Sequence, residues 1–153
     1  MAVAWATYDS AMKHAVHLVQ TFVVNPLVKL GFDVGISAPG DALLETTGRT
    51  TGKPRRTPVC DCQEGDTFWL IAQTGRDAEF VRNIQADPRV RVKLRRGARM
   101  RWRAGTAHIV DDDDPRERRR VLSQGNFWRG LCLSASSALA TSPLTLRIDL
   151  DPE

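Results

Sequence analysis

RVRVKLRRGARMRWRA, residues 89 to 104, alternates apolar and cationic side chains on both sides of a glycine-bearing break. Successive side chains of an extended chain point to opposite faces, so Val90, Val92 and Leu94 share one face while Arg89, Arg91, Lys93 and Arg95 share the other. "RRGA" turns the chain back, and on the return Met100, Trp102 and Ala104 alternate with Arg99, Arg101 and Arg103. The pattern describes an antiparallel hairpin with one apolar face, Trp102 included, and one face carrying seven cations. Like charges opposed across such a ladder cost about 0.2–1 kcal/mol per pair unless water or an anion relieves them. The nearest acids in sequence, Asp111 to Asp114, are the candidates to neutralise that face.

Working outward, Ala42–Thr47, Arg56–Cys62, Thr67–Ala72 and Leu144–Leu150 read as further strands, joined by turn-formers such as the "QEGD" connection. "RDAEFVRNIQADP" changes period and fits a short helix that stops before Pro88. "DDDDPRERRR" places acids and a proline ahead of cations, the charge order of a helix start, within a helical segment spanning 115–140. From Asp9 to Gly31, Met12, Val16, Val19, Phe22, Val23, Leu27 and Leu30 recur at helical steps, so 1–40 reads as an N-terminal helical segment. The sum is a mainly β, α+β fold of about six antiparallel strands closed or partly closed into a barrel with flanking helices.

A chain of 153 residues fits one domain, 1–153, and 42% apolar with 26% charged residues is a globular composition. No apolar run is long and clean enough for a membrane span or secretory signal. Cys60, Cys62 and Cys132 are an odd count without a disulfide or zinc spacing, which implies a reducing cytoplasm. His14 and His17 lack a third ligand at metal spacing, so no metal is expected. The net charge of +4 favours anionic partners without choosing among them. The first helix is expected to pack on the sheet, with peripheral membrane contact as its rival. Oligomeric state, monomer or homodimer, is left open.

The remaining segment of note is "ETTGRTTGKPRRTPV", residues 45 to 59. Gly48 and Gly52 stand too close together for a Walker loop, and Lys53 is followed by Pro54 instead of Ser or Thr. A glycine-bearing turn can still aim backbone N–H groups into a concavity that holds an anion. Arg49, Lys53, Arg55 and Arg56 supply charge, and Thr50, Thr51 and Thr57 supply hydroxyls. Pro54 and Pro58 restrict the chain before any ligand arrives. A plain basic surface hairpin accounts for the same residues.

Taken together, "LLETTGRTTGKPRRTPV", "LIAQTG", "FVRNIQADPRVRV" and "AGTAHIV" resemble the deazaflavin-dependent nitroreductase family, also described as quinone reductases dependent on coenzyme F420. The resemblance runs from about Ala42 to Val110, and it implies a split β-barrel related to flavin-binding pyridoxamine phosphate oxidases. It further implies that the deazaflavin lies along the barrel, its phosphate and ring portion wrapped by Arg49, Thr50, Thr51, Gly52, Pro54, Arg55, Arg56, Thr57 and Pro58. Ala72, Gln73 and Thr74 would border the ring, and the short helix would supply Phe80, Val81, Arg82 and Asn83. Thr50 stands where the family often has lysine, a charge that Lys53 would supply from across Gly52. The resemblance also implies a longer lysine-bearing loop, whose charge Arg76 would take over here.

The activity so implied is hydride transfer between reduced F420 and a planar acceptor: a quinone, an activated alkene or a nitro compound. Phe22, Phe127, Trp128 and Leu131 are expected to wall the acceptor pocket, and Cys60, Gln73, His108 or water are open as proton donors. FMN in the same groove, a non-catalytic deazaflavin carrier, and a basic module for nucleic acid or anionic lipid are the alternatives. Nucleic acid is disfavoured because Trp102, the aromatic nearest the cationic face, is expected on the apolar side.

Overall fold

The computed structural model describes Leu27, Leu30, Gly31, residues 39–138 and residues 140–153. Its strands are β1 (Asp41–Thr47), β2 (Pro54–Cys60), β3 (Gln63–Glu64), β4 (Thr67–Ala72), β5 (Arg89–Arg96), β6 (Arg99–Val110) and β7 (Leu144–Leu150). A 3-10 turn, Gly75–Asp77, leads into helix α1 (Glu79–Ala86), and helices α2 (Pro115–Ser123) and α3 (Phe127–Ser137) lie between β6 and β7. The expectation for Asp9–Gly31 falls mostly outside the described residues, as do Phe22, His14 and His17; Leu27, Leu30 and Gly31 are helical.

The seven strands form one antiparallel sheet in the order β2-β1-β5-β6-β7-β4-β3. β2 and β3 stand at opposite ends of that order, yet only Asp61 and Cys62 separate them in the chain, so the sheet curls back on itself into a half-barrel. The seventh strand, beyond the six or so expected, is the two-residue β3 against Phe68 and Thr67. β2 begins at Pro54, two residues ahead of the expected Arg56. Both its prolines are tolerated because β2 is an edge strand, where alternate N–H groups face away from the sheet.

The concave face holds the core. Ala42, Leu44, Phe68, Leu70, Val90, Val92, Leu94, Leu146 and Ile148 pack there, closed from one side by Val81 and Ile84 of α1. Each large side chain so buried contributes about 1.5–3 kcal/mol. α2 and α3 cover part of the convex face, where Leu122 and Leu133 pack with Cys62 against Trp69 and Ile71.

The β5–β6 hairpin departs from its expected facing. The register Arg96↔Arg99, Lys93↔Trp102 and Arg91↔Ala104 pairs odd with even positions, because the turn has two residues, Gly97 and Ala98. Gly97 has φ +61, and it stands at the position where II′ hairpin turns place glycine. Cross-strand partners share a face, so Trp102, Met100 and Ala104 lie with the cations of β5. Arg99, Arg101 and Arg103 lie on the side of Val90, Val92 and Leu94. The seven cations are thus divided between two faces. The physical gain is electrostatic: Arg96 and Arg99 are the one cation pair directly opposed along this ladder, whereas the expected facing would have opposed three or so, at about 0.2–1 kcal/mol each.

The four aspartates do not neutralise these arginines. Asp111 pairs with Arg76, Asp113 pairs with Arg118 at 2.7 Å, and Asp114 caps α2 by accepting from the Arg116 N–H. The cysteine reading is also corrected: Cys60 and Cys132, 72 residues apart, form a disulfide joining β2 to α3. Spacing along the chain carries no information about such a contact, and the ground for a reducing compartment goes with it. Cys62 is the free cysteine, and burial pushes its thiol up to about 12.

Candidate functional site

The β1–β2 turn is built to stay open. Gly48 N–H donates to the Lys53 carbonyl at 2.8 Å and Gly52 N–H to the Gly48 carbonyl at 2.7 Å, closing the loop on itself. Gly52 has φ +67 and nothing within 4 Å of where a Cβ would stand, so the space above it is free. A Cβ on Gly48, by contrast, would press on Thr51 Oγ1 at 3.0 Å and on Arg55 Nε at 3.3 Å. Among the described residues nothing accepts from the main-chain N–H groups of Thr50 and Thr51, as an anion-binding nest requires.

Asn83, 4% exposed, ties this turn to α1. Its Nδ2 donates to Thr46 Oγ1 at 3.1 Å, and its Oδ1 accepts from the Arg49 main chain at 3.2 Å and from Arg49 Nη1 at 3.3 Å. Arg49 also donates to Glu79 at 2.7 Å, which holds the Glu79 carboxyl below its ordinary range. Arg49 is therefore a strut between the turn and α1, its charge already met.

The other cations of the turn part company. Arg55 is level with Thr46 and Arg56 with Glu45, so their side chains leave opposite faces of the sheet. Arg55 stays beside the turn, with Thr51 Oγ1 3.5 Å away, and neither Lys53 nor Arg55 has an acidic partner among the described residues. Arg56 donates to Glu45 at 3.0 Å, and Arg91 grips the other carboxylate oxygen at 2.8 and 2.6 Å. Burial, the largest influence on Glu45, pushes its carboxyl upward; the bonds from Arg56 and Arg91 outweigh it and hold the pKa below the ordinary value.

The Trp102 indole lies over this triplet, 5.4 Å from Arg56 and 4.9 Å from Arg91, with Lys93 at 5.8 Å. The arrangement explains how a glutamate is only 7% exposed on the convex side of a sheet. A groove of about 280 Å³ opens on this side between Thr47, Pro54, Arg89 and Arg91. Its cations are met by acids, since Arg89 pairs with Asp151 at 2.9 Å and Arg91 with Glu45. Unmet positive charge in the turn is left to Lys53 and Arg55, with the N–H groups and hydroxyls of Thr50 and Thr51.

The structure thus gathers Arg49, Thr50, Thr51, Gly52, Lys53, Arg55 and Asn83 at one place and sends Arg56 to the other face. Pro54 and Pro58 lie on the Arg56 side and Thr57 on the core side. Ala72 and Val81 are core residues, and Phe80 is half-buried against the core. Arg82 is engaged with Asp77 at 3.2 Å and Glu79 at 3.6 Å. Gln73 donates to Ser136 Oγ at 3.3 Å, and Thr74 opens the 3-10 turn. That turn needs its glycine, because Gly75 has φ +59 and a Cβ there would collide with the Ser142 carbonyl.

Two expected proton donors change character. Cys60 is oxidised, and His108 faces Asp149 at 3.2 Å on the convex side, away from the turn. Phe127, Trp128 and Leu131 are exposed on α3, and Phe22, expected beside them, lies outside the described residues. Sequence reasoning missed Thr46, Glu79 and above all Glu45, whose signal was a lone acid in the apolar run "ALLETT" facing arginine-rich strands.

Three comparisons bear on this geometry. The family model described as F420H(2)-dependent quinone reductase matches residues 21–128. F420H(2)-dependent quinone reductase Rv1261c of Mycobacterium tuberculosis is 33% identical over 60 residues, which is 37% of this chain and 40% of that protein. The chain is thus matched to less than half the length of its curated relatives. Among solved structures, an F420-H2 dependent reductase, FDR-A, has a TM-score of 0.50 at 21% identity, covering 74% of this chain and 95% of that one. A Listeria innocua protein assigned as a pyridoxamine 5′-phosphate oxidase has a TM-score of 0.51 at 15% identity, covering 74% and 85%. At these identities the structures speak for the fold alone, a split barrel.

Proposed function

The chain belongs to the F420H(2)-dependent quinone reductase family, and we propose that it is an oxidoreductase moving hydride between reduced coenzyme F420 and a planar acceptor. A quinone is the first candidate, and an activated alkene or nitro compound the next. The observation that carries the reading is the open turn, where Lys53 and Arg55, two cations without an acidic partner among the described residues, stand beside the main-chain N–H groups of Thr50 and Thr51, which no described residue accepts from. A phosphate needs this combination of charge and converging donors.

Lys53 and Arg55 bind the anionic end of the coenzyme, and Thr50 and Thr51 complete its hydrogen bonds. Asn83 and Arg49 hold the turn against α1, so that little ordering remains for the ligand to impose. Gln73 and Thr74, at the end of β4, border the ring. Bound there, the deazaflavin supplies a carbon hydride donor in place of flavin N5, and with it two-electron chemistry. The protein's part is orientation. With Cys60 oxidised and His108 on the convex face, solvent water delivers the proton.

The test is anaerobic mixing of the protein with reduced F420 and a soluble benzoquinone, read by the return of deazaflavin absorbance. Oxidation that depends on protein and quinone together supports the reading. Binding without turnover would leave a carrier, and activity with FMN and a nicotinamide donor alone would remove the deazaflavin assignment.

A further inference from the structure

The cations of the β5–β6 hairpin remain unused by this site. Lys93, Arg95, Arg96, Arg99 and Arg101 occupy the end of a ladder that runs on to Arg96↔Arg99, beyond the last β1 pairing at Lys93 and the last β7 pairing at Gly105. Glu153 meets Arg96 at 2.6 Å, and Arg99 and Arg101 have no acidic partner among the described residues.

Helix α3 begins at the same end of the sheet. Continuing the β1–β5 register places Asp41 level with Arg95, and Asp41 pairs with Cys60, the disulfide partner of Cys132 on α3. Cys132 Sγ lies 3.7 Å from Asp41 Oδ1, and a Cβ on Gly40 would stand 2.9 Å from the Trp128 carbonyl. The outward side of α3 there carries Phe127, Trp128 and Leu131, exposed by 76%, 50% and 53%. An edge-on pair at 5.4 Å links the two rings.

We propose that this end of the molecule, the hairpin tip with the first turns of α3, docks on an anionic phospholipid bilayer. Arginines meet lipid phosphates, and an exposed indole and phenyl suit the headgroup boundary. Duplex nucleic acid would account for the arginines and leave Phe127 and Leu131 without a role. A second copy of the chain would cover the aromatics while bringing two sets of the same cations together. The proposal stands apart from the hydride reading, because docking is measured with no cofactor present.

The experiment is co-sedimentation of the full chain with phosphatidylglycerol/phosphatidylcholine vesicles and with phosphatidylcholine vesicles. It is joined to Trp fluorescence with brominated lipid, and run on the wild type, R99E/R101E and W128F/F127S. Neither double variant touches the turn site, and circular dichroism confirms their folding. Binding confined to anionic vesicles is expected, weakened by salt and at least about twentyfold by R99E/R101E, since each cation is worth about fivefold and reversal counts more than removal. Bromine quenching of Trp128, absent in W128F/F127S, is expected as well. Vesicle binding without quenching overturns the aromatic contact, and so the proposal. Binding to a DNA duplex in preference to vesicles, or a dimer by light scattering in which Trp128 is shielded from quenchers, also overturns it, as does no binding at all.

Discussion

Arg55 and Arg56, consecutive in the chain, leave opposite faces of the sheet: Arg55 stands level with Thr46 beside the open turn, and Arg56 donates to Glu45 at 3.0 Å beneath Trp102. Strand alternation has therefore set two residues of one type in different surroundings.

Replacing each in turn separates the two roles. Arg55→Ala is expected to weaken F420 binding by about 1.5–3 kcal/mol, the worth of a charge-assisted hydrogen bond, with little change in urea midpoint. Arg56→Ala is expected to leave F420 affinity within about threefold while lowering stability by roughly 0.5–1 kcal/mol, discounted for the exposure of Arg56. Fluorescence titration and urea unfolding read the two effects independently.

Asn83 holds β1, the turn and α1 together through the contacts to Thr46 and Arg49. Asn83→Ala strips these bonds from a buried position and is expected to cost about 2–4 kcal/mol. Hydrogen exchange should accelerate across residues 48–53 beyond what the global loss accounts for, because the turn loses its anchor.

Glu45 gives a pH dependence of defined sign. Burial raises its carboxyl, and Arg56 and Arg91 more than offset this, so the folded pKa lies below the ordinary 4.5. A depressed acid stabilises the fold fully above its unfolded pKa, and the contribution drains away as pH falls through the folded value. Wild-type stability should thus fall below about pH 4.5 more steeply than that of Glu45→Gln. At neutral pH the variant should be about 1–3 kcal/mol less stable, with two arginines left short of a counter-charge.

Reducing the Cys60–Cys132 disulfide should lower stability by about 2–4 kcal/mol, since it closes a long loop between β2 and α3. Thermal melts with and without a dithiol reductant measure this. Cys62, buried and with its thiol pushed up to about 12, should resist alkylation in the folded protein at pH 8 and react after unfolding.

The strands of the half-barrel were legible because period-two alternation is a local property, and the short helix because Ala78, Phe80 and Ile84 break that period. How faces match across a hairpin is not local. It depends on whether "RRGA" closes with two or three turn residues, and that one-residue difference moved Trp102 to the cationic side. The Cys60–Cys132 contact was illegible for the same reason: it exists only once the sheet has curled.

At the site, the resemblance pointed to the turn as a block and treated its arginines as one clamp. Starting β2 at Pro54 in place of Arg56 puts Arg55 and Arg56 within a strand, where alternation parts them. Glu45 escaped notice because a carboxylate in an apolar strand declares its role only when Arg56 and Arg91 are found on either side of it.

The central claim, that the open turn seats the anionic end of a deazaflavin, is tested most directly by titrating wild type and Arg55→Ala with oxidised F420, and wild type with FMN, following cofactor fluorescence. The account predicts saturable quenching of F420 by the wild type, a dissociation constant at least about tenfold weaker for Arg55→Ala, and no comparable response from FMN. Equal F420 affinity in the two proteins, or saturation by FMN with none by F420, would contradict it.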